Sequence, residues 1–381
     1  MKILHLASDE KFIDQAIRVF ERAVPGGNTL YVYSGKKLNF VKSPAHSPSK
    51  FSVLSGRVSK EFLDFDVVII HSLIPAWYKA ISKIPEGTPI VWLGWGFDYY
   101  DYVFSSKEEA LLPRTRGAQI VCGEKKISIN KVRYLLAGLL KYWLPKKEEI
   151  IDKIDIFCPV LPCEYSMVRK RFSGRRFPEY ARWNYGCLED DLIKGFESAR
   201  VTGDSILVGN SASFTNNHLD VFDLFLRIGV ENREIVTPLS YGNAQYRDFI
   251  LKRGRDLFAD SFDPMVKFLP LNEYVKKIQS CGFVVMNHVR QQAVGNILIM
   301  LYLGAKVFLR RECSTYAFFR EQGVILFSIQ ELEETPDLLN DMLDDNSVTM
   351  NRKILEGYWS RHVSDNNTSN LLGRAISKKS V

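Results

Sequence analysis

Short continuous apolar runs alternate along this chain with longer stretches in which apolar residues recur every three or four positions. KILHLA (Lys2–Ala7) is a run of the first kind and predicts a buried strand. The next stretch, FIDQAIRVFERA, places Phe12, Ile13, Ala16, Ile17, Val19 and Phe20 at helical spacing, and PGGN (Pro25–Asn28) stops it. TLYVYS, Asp66–Ser72, Pro89–Trp95 and Ile154–Val160 continue the strand series, with a helix around Trp77–Ile84. After a polar stretch, Leu188–Gly203, the pattern restarts. Strands are expected at Ser205–Asn210, Arg233–Ser240, Met265–Pro270 and Gly282–Asn287, with AKVFLRR and GVILFS closing the series. Helices are expected at His218–Gly229, Asn243–Gly254 and Asn272–Cys281. Strict alternation of strand and helix implies parallel sheets covered on both faces. The expected architecture is two Rossmann-like α/β domains, residues 1–195 and 196–381, facing across a cleft, with the C-terminal helix packing back on the first. Open α/β sheets bind ligands beyond the carboxyl ends of their strands.

Three loops in the second half fall at such strand ends. The first lies in HVRQQAVGNILIMLYLGAKVFLRRE (His288–Glu312), where Arg290, Gln291, Gln292, Gly295 and Asn296 precede a strongly apolar helix. The first amides of a helix have no internal partner and, with the helix dipole, favour an anion. Glycine lets a phosphate approach the backbone, and Arg290 adds charge. A polar loop capping a core helix is the alternative. The second loop, VGNSASFTNNH (Val208–His218), offers Gly209, Asn210, Ser211 and Asn217; ordinary helix capping would use the same residues. The third, PLSYGNAQYRDF (Pro238–Phe249), carries Tyr241 and Tyr246, suited to stacking on or bonding to a base or sugar. No GxGxxG and no GxxxxGK[ST] occurs, which argues against a standard dinucleotide or P-loop site, and no cofactor is expected.

In the first half, WLGWGFDYYDY (Trp92–Tyr102) sets two tryptophans and two glycines around Asp98 and Asp101 just past a strand. Asp98 is the first candidate general base and Asp9, after the first strand, the second; acids at such junctions also serve as caps. Lys125–Lys147 is basic throughout and rich in leucine and aromatics, which fits an anionic membrane interface, or equally a solvated face over a packing stripe. RKRFSGRR (Arg169–Arg176) adds a second basic patch.

Bulk properties narrow the field little. The 381 residues are 46% hydrophobic and 25% charged, an ordinary globular balance, and the net charge of +7 is mild. The six cysteines show no metal-like pairing, and no metal site is expected. MKILHLASDE does not read as a signal peptide, and Ile297–Leu303 is far below the ~20 residues of a membrane span.

Taken in order, HLASD, WGFDYY, ILVGNS, NNH, PLSYGN, FLPLNEY and RQQAVGNILIMLYLGAKVFLRRE resemble glycosyltransferase family 56, the TDP-N-acetylfucosamine:lipid II N-acetylfucosaminyltransferase family. The resemblance runs from about Ile3 to about Phe327. It implies a GT-B fold, a TDP-sugar donor held by the second half, and an undecaprenyl-diphosphate-linked acceptor at the cytoplasmic face of the bacterial inner membrane. Nucleic acid is not among the implied partners. Gly209, Asn210 and Ser211 match one phosphate-side loop; Arg290, Gln291, Gln292, Gly295 and Asn296 match the other. Tyr241 matches the loop tyrosine, and Asp98 the acid of the tryptophan–glycine motif. The loop after VGNS is about one residue longer here, and the flanks of PLSYGN differ, so donor and acceptor identity stay open. A non-catalytic nucleotide-sugar-binding scaffold and a soluble nucleotide-sugar epimerase are the rival readings.

Overall fold

A computed structural model describes residues 1–34, 37–123, 144–230 and 233–379. The chain forms two compact units, each carrying a six-stranded sheet. Unit 1 gathers Met1–Val103, Asn130–Cys187 and Trp359–Val381; unit 2 gathers Phe104–Ile129 and Leu188–Tyr358. The chain thus passes between units more than once, whereas the sequence pattern suggests a single boundary at 195.

The first sheet contains β1 (Ile3–Ser8), β2 (Asn28–Tyr33), β3 (Val67–His71), β4 (Ile90–Leu93), β5 (Ile156–Cys158) and β6 (Glu179–Tyr180). Its order is β2-β1-β3-β4-β5-β6, with every pairing parallel. All residues of β3 and β4 are buried, as expected for apolar strands covered on both faces. One of the covering elements is the C-terminal helix, Arg361–Lys379. Its Leu371, Leu372 and Ala375 join Ile3, Ala16, Phe20 and Trp183 in one core, and Thr368 Oγ1 accepts from Trp183 Nε1 at 2.8 Å.

The second sheet contains β7 (Ile206–Val208), β8 (Ile235–Pro238), β9 (Phe262–Met265), β10 (Phe283–Met286), β11 (Lys306–Leu309) and β12 (Phe327–Ser328). Its order is β12-β11-β10-β7-β8-β9, again all parallel. The chain runs outward from β7 through β8 to β9, then restarts on the other side of β7 with β10. The point of reversal therefore lies between β7 and β10, where an open α/β sheet leaves a crevice at its carboxyl edge. The expected strand Met265–Pro270 is displaced: Phe262 and Met265 are the buried pair, while Val266 and Phe268 are exposed.

Segment 104–123 enters unit 2 through its polar contacts. The helix Pro113–Gly123 starts against Asp220, whose carboxylate accepts the Arg114 and Thr115 N–H groups at 3.0 Å each. Leu112 N–H donates to Asn217 Oδ1 at 2.9 Å. Among the described residues no helix is long and apolar enough to cross a membrane.

Candidate active site

Three loops leave the carboxyl edge of the second sheet around the reversal point: 209–217 after β7, 239–243 after β8, and 287–293 after β10. The first turns at Gly209, where φ is +66°. An added Cβ there would lie 2.8 Å from both Asn216 Oδ1 and His218 Nε2, so a side chain is excluded on two counts. Asn216, fully buried, holds the turn together. Its Oδ1 accepts from Asn210 N–H and from His288 Nε2, both at 2.9 Å, and its Nδ2 donates to Ser211 O at 2.8 Å. Since that oxygen can only accept, His288 carries its proton on Nε2. Burial pushes the pKa of His288 down to about 3, with the Arg290 charge acting the same way, and burial alone takes His218 to about 3. Both imidazoles are neutral, so the floor beneath the loop carries no charge.

Above this floor runs a ladder of polar side chains with a defined direction. Thr215 Oγ1 donates to Gln292 Oε1 (2.6 Å), Gln292 Nε2 donates to Asn210 Oδ1 (2.8 Å), and Asn210 Nδ2 donates to the Tyr241 hydroxyl (3.0 Å). The ladder joins all three loops. The backbone supports it at Ala212, whose N–H donates to Tyr241 O (2.7 Å) and whose O accepts from Asn243 N–H (2.8 Å). Gly242 permits this approach: a Cβ on it would meet Ala212 O at 2.5 Å. Tyr241 is 45% exposed and projects from the edge of the sheet.

The helix after β10 is Val294–Leu303, and Ile297 to Leu303 are all buried, which accounts for its apolar composition. Its polar beginning is different. No side chain caps it, and the residue before it, Ala293, adopts the left-handed conformation at φ +59°. That conformation costs a non-glycine residue about 1–2 kcal/mol. Intrahelical bonding starts with Ile297 N–H to Ala293 O at 3.0 Å, so the amides of 294–296 have no partner within the helix. Val294, Gly295 and Asn296 are half-buried. A Cβ on Gly295 would touch only Leu192 Cδ2, at 3.6 Å, so packing within the protein does not demand a glycine there.

Of the sequence candidates in this unit, Gly209, Asn210, Tyr241, Gln292, Gly295 and Asn296 gather on these three loops and the helix start. Ser211, Asn217 and Gln291 lie in the same loops and, like Gly209 and Asn210, are buried. Asn217 serves the structure: its side chain bonds Leu112 N–H, Ala110 O and Asn287 O, tying two loops to segment 104–123. Arg290 is half-buried, and its Nη1 donates to Gln291 O at 2.9 Å.

The acids of unit 1 are placed differently from what a general base requires. Asp98 is 4% exposed, and its carboxylate accepts from Trp95 N–H (2.8 Å), Leu73 N–H (2.8 Å) and Trp92 Nε1 (2.7 Å). Burial raises its pKa, and these bonds oppose the shift. It ties the loop after β3 to the loop after β4. Asp9 accepts the N–H groups of Asn39 (2.6 Å), Phe40 (3.0 Å) and Val41 (3.0 Å). Burial would raise its pKa, but the three bonds outweigh it and hold the carboxyl below the usual range. Asp101 pairs with Lys147 at 2.7 Å. Of the basic stretch Lys125–Lys147, most lies outside the described residues. In the second basic patch, Arg175 and Arg176 pair with Asp152 and Asp155 at 2.8 and 2.7 Å.

A parallel sheet that reverses at β7/β10, with a helix start at the reversal, is the arrangement at which open α/β folds bind anionic ligands. Residues 190–344 match the family model of 4-alpha-L-fucosyltransferase, glycosyl transferase group 56. This group 56 match spans β7 to β12, and so contains all three loops. Over nearly the whole chain the fold resembles that of Anabaena HepE, solved with UDP-glucose: 10% identity, 98% of this chain and 100% of that one, TM-score 0.66. Sucrose-phosphate synthase from Thermosynechococcus elongatus aligns over 99% of this chain and 100% of its own at 7% identity, TM-score 0.63. Trehalose 6-phosphate synthase from Burkholderia multivorans aligns over 100% and 97% at 8% identity, TM-score 0.60. The fold is GT-B. Together the group 56 match and the fold support a nucleotide-sugar glycosyltransferase.

Within the matched region Asn216 belongs to the loop Val208–His218 that the sequence singles out, but its role, and the parts played by His288 and Arg310, are not legible there. Asn216 and His288 anchor the turn at Gly209, yet a buried asparagine–histidine pair separated by 72 positions has no local signature. Arg310, just past β11, donates from Nη1 to Asn287 Oδ1 at 3.3 Å and from Nη2 to Glu312 at 3.0 Å. Its position at a strand's carboxyl end was the one available signal.

Proposed function

We propose that this protein transfers a deoxy-acetamido sugar, of the 4-acetamido-4,6-dideoxygalactose type, from a TDP-sugar to an undecaprenyl-diphosphate-linked saccharide in bacterial surface polysaccharide synthesis. The observation that carries the donor half of this reading is the uncapped helix start at Val294–Asn296 beside the Thr215–Gln292–Asn210–Tyr241 ladder. In this proposal the amides of 294–296 and Arg290 receive the diphosphate. The developing charge on the leaving group is then neutralised by the protein itself, without a metal ion. HepE, whose fold this chain shares, is solved in complex with UDP-glucose, which supports a nucleotide-sugar donor.

Acceptor recognition falls to unit 1 in this proposal. Asp98 there shapes the loops: it is buried and accepts from Leu73, Trp92 and Trp95, which ties it to the fold rather than to a substrate hydroxyl. Asp9 keeps one lone-pair position, but its lowered pKa makes it a weak base. The basic, leucine-rich composition of Lys125–Lys147 supports a surface that rests on the anionic inner membrane, on its cytoplasmic side.

The reading is tested by a thermal-shift screen across TDP-, UDP- and GDP-sugars, followed by transfer to a lipid-linked saccharide with and without EDTA. A selective rise in melting temperature with the TDP-sugar, and EDTA-insensitive transfer, are expected. Product formed from the sugar nucleotide alone would reassign the protein as an epimerase. Binding without transfer to any lipid-linked saccharide would reassign it as a scaffold.

A further inference from the structure

One carboxylate on the carboxyl edge of the second sheet has no part in the function above. Glu312 lies just past β11, in the loop before the helix Ser314–Glu321. Two side chains from different elements orient it. Arg310 Nη2 donates to Oε1 at 3.0 Å, and Gln330 Nε2, from the helix Ile329–Glu334, donates to Oε2 at 2.8 Å. The backbone N–H of Glu312 itself adds a third donor. A carboxylate has about four lone-pair positions, so one is left. The Glu312 side chain is 52% exposed and that of Arg310 only 16%, so the clamp is set inward and the carboxylate outward. Burial would raise the pKa of Glu312, but the bonds from Arg310, its own amide and Gln330 outweigh it and hold the carboxyl below the usual range.

The same clamp fixes Glu312 relative to the helix start assigned to the diphosphate. β10 and β11 pair in parallel with Met286 opposite Leu309, so Asn287 and Arg310 follow side by side at the edge. Arg310 Nη1 donates to Asn287 Oδ1 at 3.3 Å, and Cys313 Sγ donates to Arg290 O at 3.2 Å. Glu312 thus lies between two residues that are each bonded to loop 287–293. Charge decides what such a group can take. It repels a phosphate oxygen and accepts from a hydroxyl, and a hydrogen bond to an ionised acceptor is roughly twice as strong as a neutral one. Strand order decides which part of a nucleotide-sugar reaches it. β8, β7, β10 and β11 are neighbours in that order, so the loop of Tyr241 and the loop of Glu312 stand three strand spacings apart, about 14 Å, on either side of the β10 loop. An exposed tyrosine ring at one end suits a base, and a carboxylate at the other suits a sugar hydroxyl.

We propose that Glu312 accepts a hydrogen bond from a hydroxyl of the donor's sugar, with the diphosphate at Val294–Asn296 and the base on the Tyr241 side. This rests on the reading of the protein as a nucleotide-sugar glycosyltransferase. It makes Glu312 a donor-sugar-binding residue, and Arg310 and Gln330 residues that position its carboxylate.

The test is calorimetric titration of the full chain with TDP and, separately, with TDP-4-acetamido-4,6-dideoxygalactose. Wild type, Glu312→Ala and Gln330→Ala are compared. TDP is expected to bind all three within about 2-fold. The TDP-sugar is expected to bind Glu312→Ala about 10-fold more weakly, the lower end of what one charge-assisted hydrogen bond is worth. Gln330→Ala keeps the acceptor but loosens its orientation, so a smaller loss is expected, again for the TDP-sugar alone. Melting temperatures are expected to stay near wild type, since a partly exposed ion pair contributes little. Should Glu312→Ala not fold, Glu312→Gln keeps the shape and one acceptor oxygen, and is expected to lose about 3-fold for the TDP-sugar and nothing for TDP. Equal weakening of both ligands overturns the proposal, because it assigns Glu312 to the nucleotide or to the shape of the loop. Unchanged binding of both overturns it too, and leaves the donor reading intact. A wild-type protein that binds neither ligand overturns the donor reading and this inference with it.

Discussion

Replacing Gly295 by alanine separates packing from ligand chemistry at the helix start. An added Cβ meets only Leu192 Cδ2, at 3.6 Å, an ordinary contact, so the fold accommodates it. Alanine is the better helix former by about 0.8–1.0 kcal/mol in a helix interior. In the first turn of Val294–Leu303 about half of that is expected, raising the melting temperature by about 1–2 °C. Donor binding should move the opposite way. The methyl group would stand beside the amides assigned to the diphosphate, and each charge-assisted hydrogen bond lost is worth about 1.5–3 kcal/mol. One such loss weakens TDP binding about 10- to 100-fold. Calorimetric titration with TDP, beside a melting curve, reads both effects. A folded Gly295→Ala protein that binds TDP within about 2-fold of wild type would refute the assignment of these amides, since 2-fold is well under the value of one bond.

Three other outcomes follow from the same geometry. Gly209→Ala forces alanine to φ +66° and 2.8 Å from Asn216 Oδ1, which bonds both Asn210 N–H and His288; a loss of about 2–4 kcal/mol is expected in urea unfolding, and an unchanged midpoint would show the turn to be pliable. Arg290→Ala should leave the melting temperature near wild type and lower donor turnover at least 10-fold, the equivalent of ~1.4 kcal/mol; full turnover removes Arg290 from the site. Acid should destabilise the protein early. Burial lowers His5 to about 4, His218 and His288 to about 3, and His71 well below 6.5, so the unfolded chain binds more protons from about pH 6.5 downward. Stability is then lost as pH falls, by about 2 kcal/mol per histidine between pH 7 and 5, with the raised pKa of Asp98 acting weakly in the opposite direction. A flat stability profile across that range would show the histidines to be solvated.

The sheets are legible in the sequence because their strands are continuous apolar runs, and apolar runs of that length have few other uses in an alternating chain. The exceptions have physical causes. Met265–Pro270 looks like a strand, but Val266 and Phe268 are exposed at 42% and 60%, and the buried pair is Phe262 and Met265 on its N-terminal side. Residue types alone do not distinguish an exposed apolar loop from a strand. β6 is two residues long and partly exposed, so it has no pattern to detect. In the site, the glycine-flanked loops were visible because strand ends and helix starts are local features. Which asparagine stitches the backbone and which faces outward depends on partners far along the chain: Asn217 reaches Ala110, and Asn210 reaches Tyr241 and Gln292. Asp98 illustrates the same limit. An acid past a strand reads as a base until its three donors, from Leu73, Trp92 and Trp95, are seen.

The most direct measurement is a crystal structure of the protein with TDP. The expected result places diphosphate oxygens within about 3 Å of the Gly295 and Asn296 amide nitrogens, with Arg290 turned toward them. A structure in which the nucleotide is bound but those amides contact none of its oxygens would contradict the account.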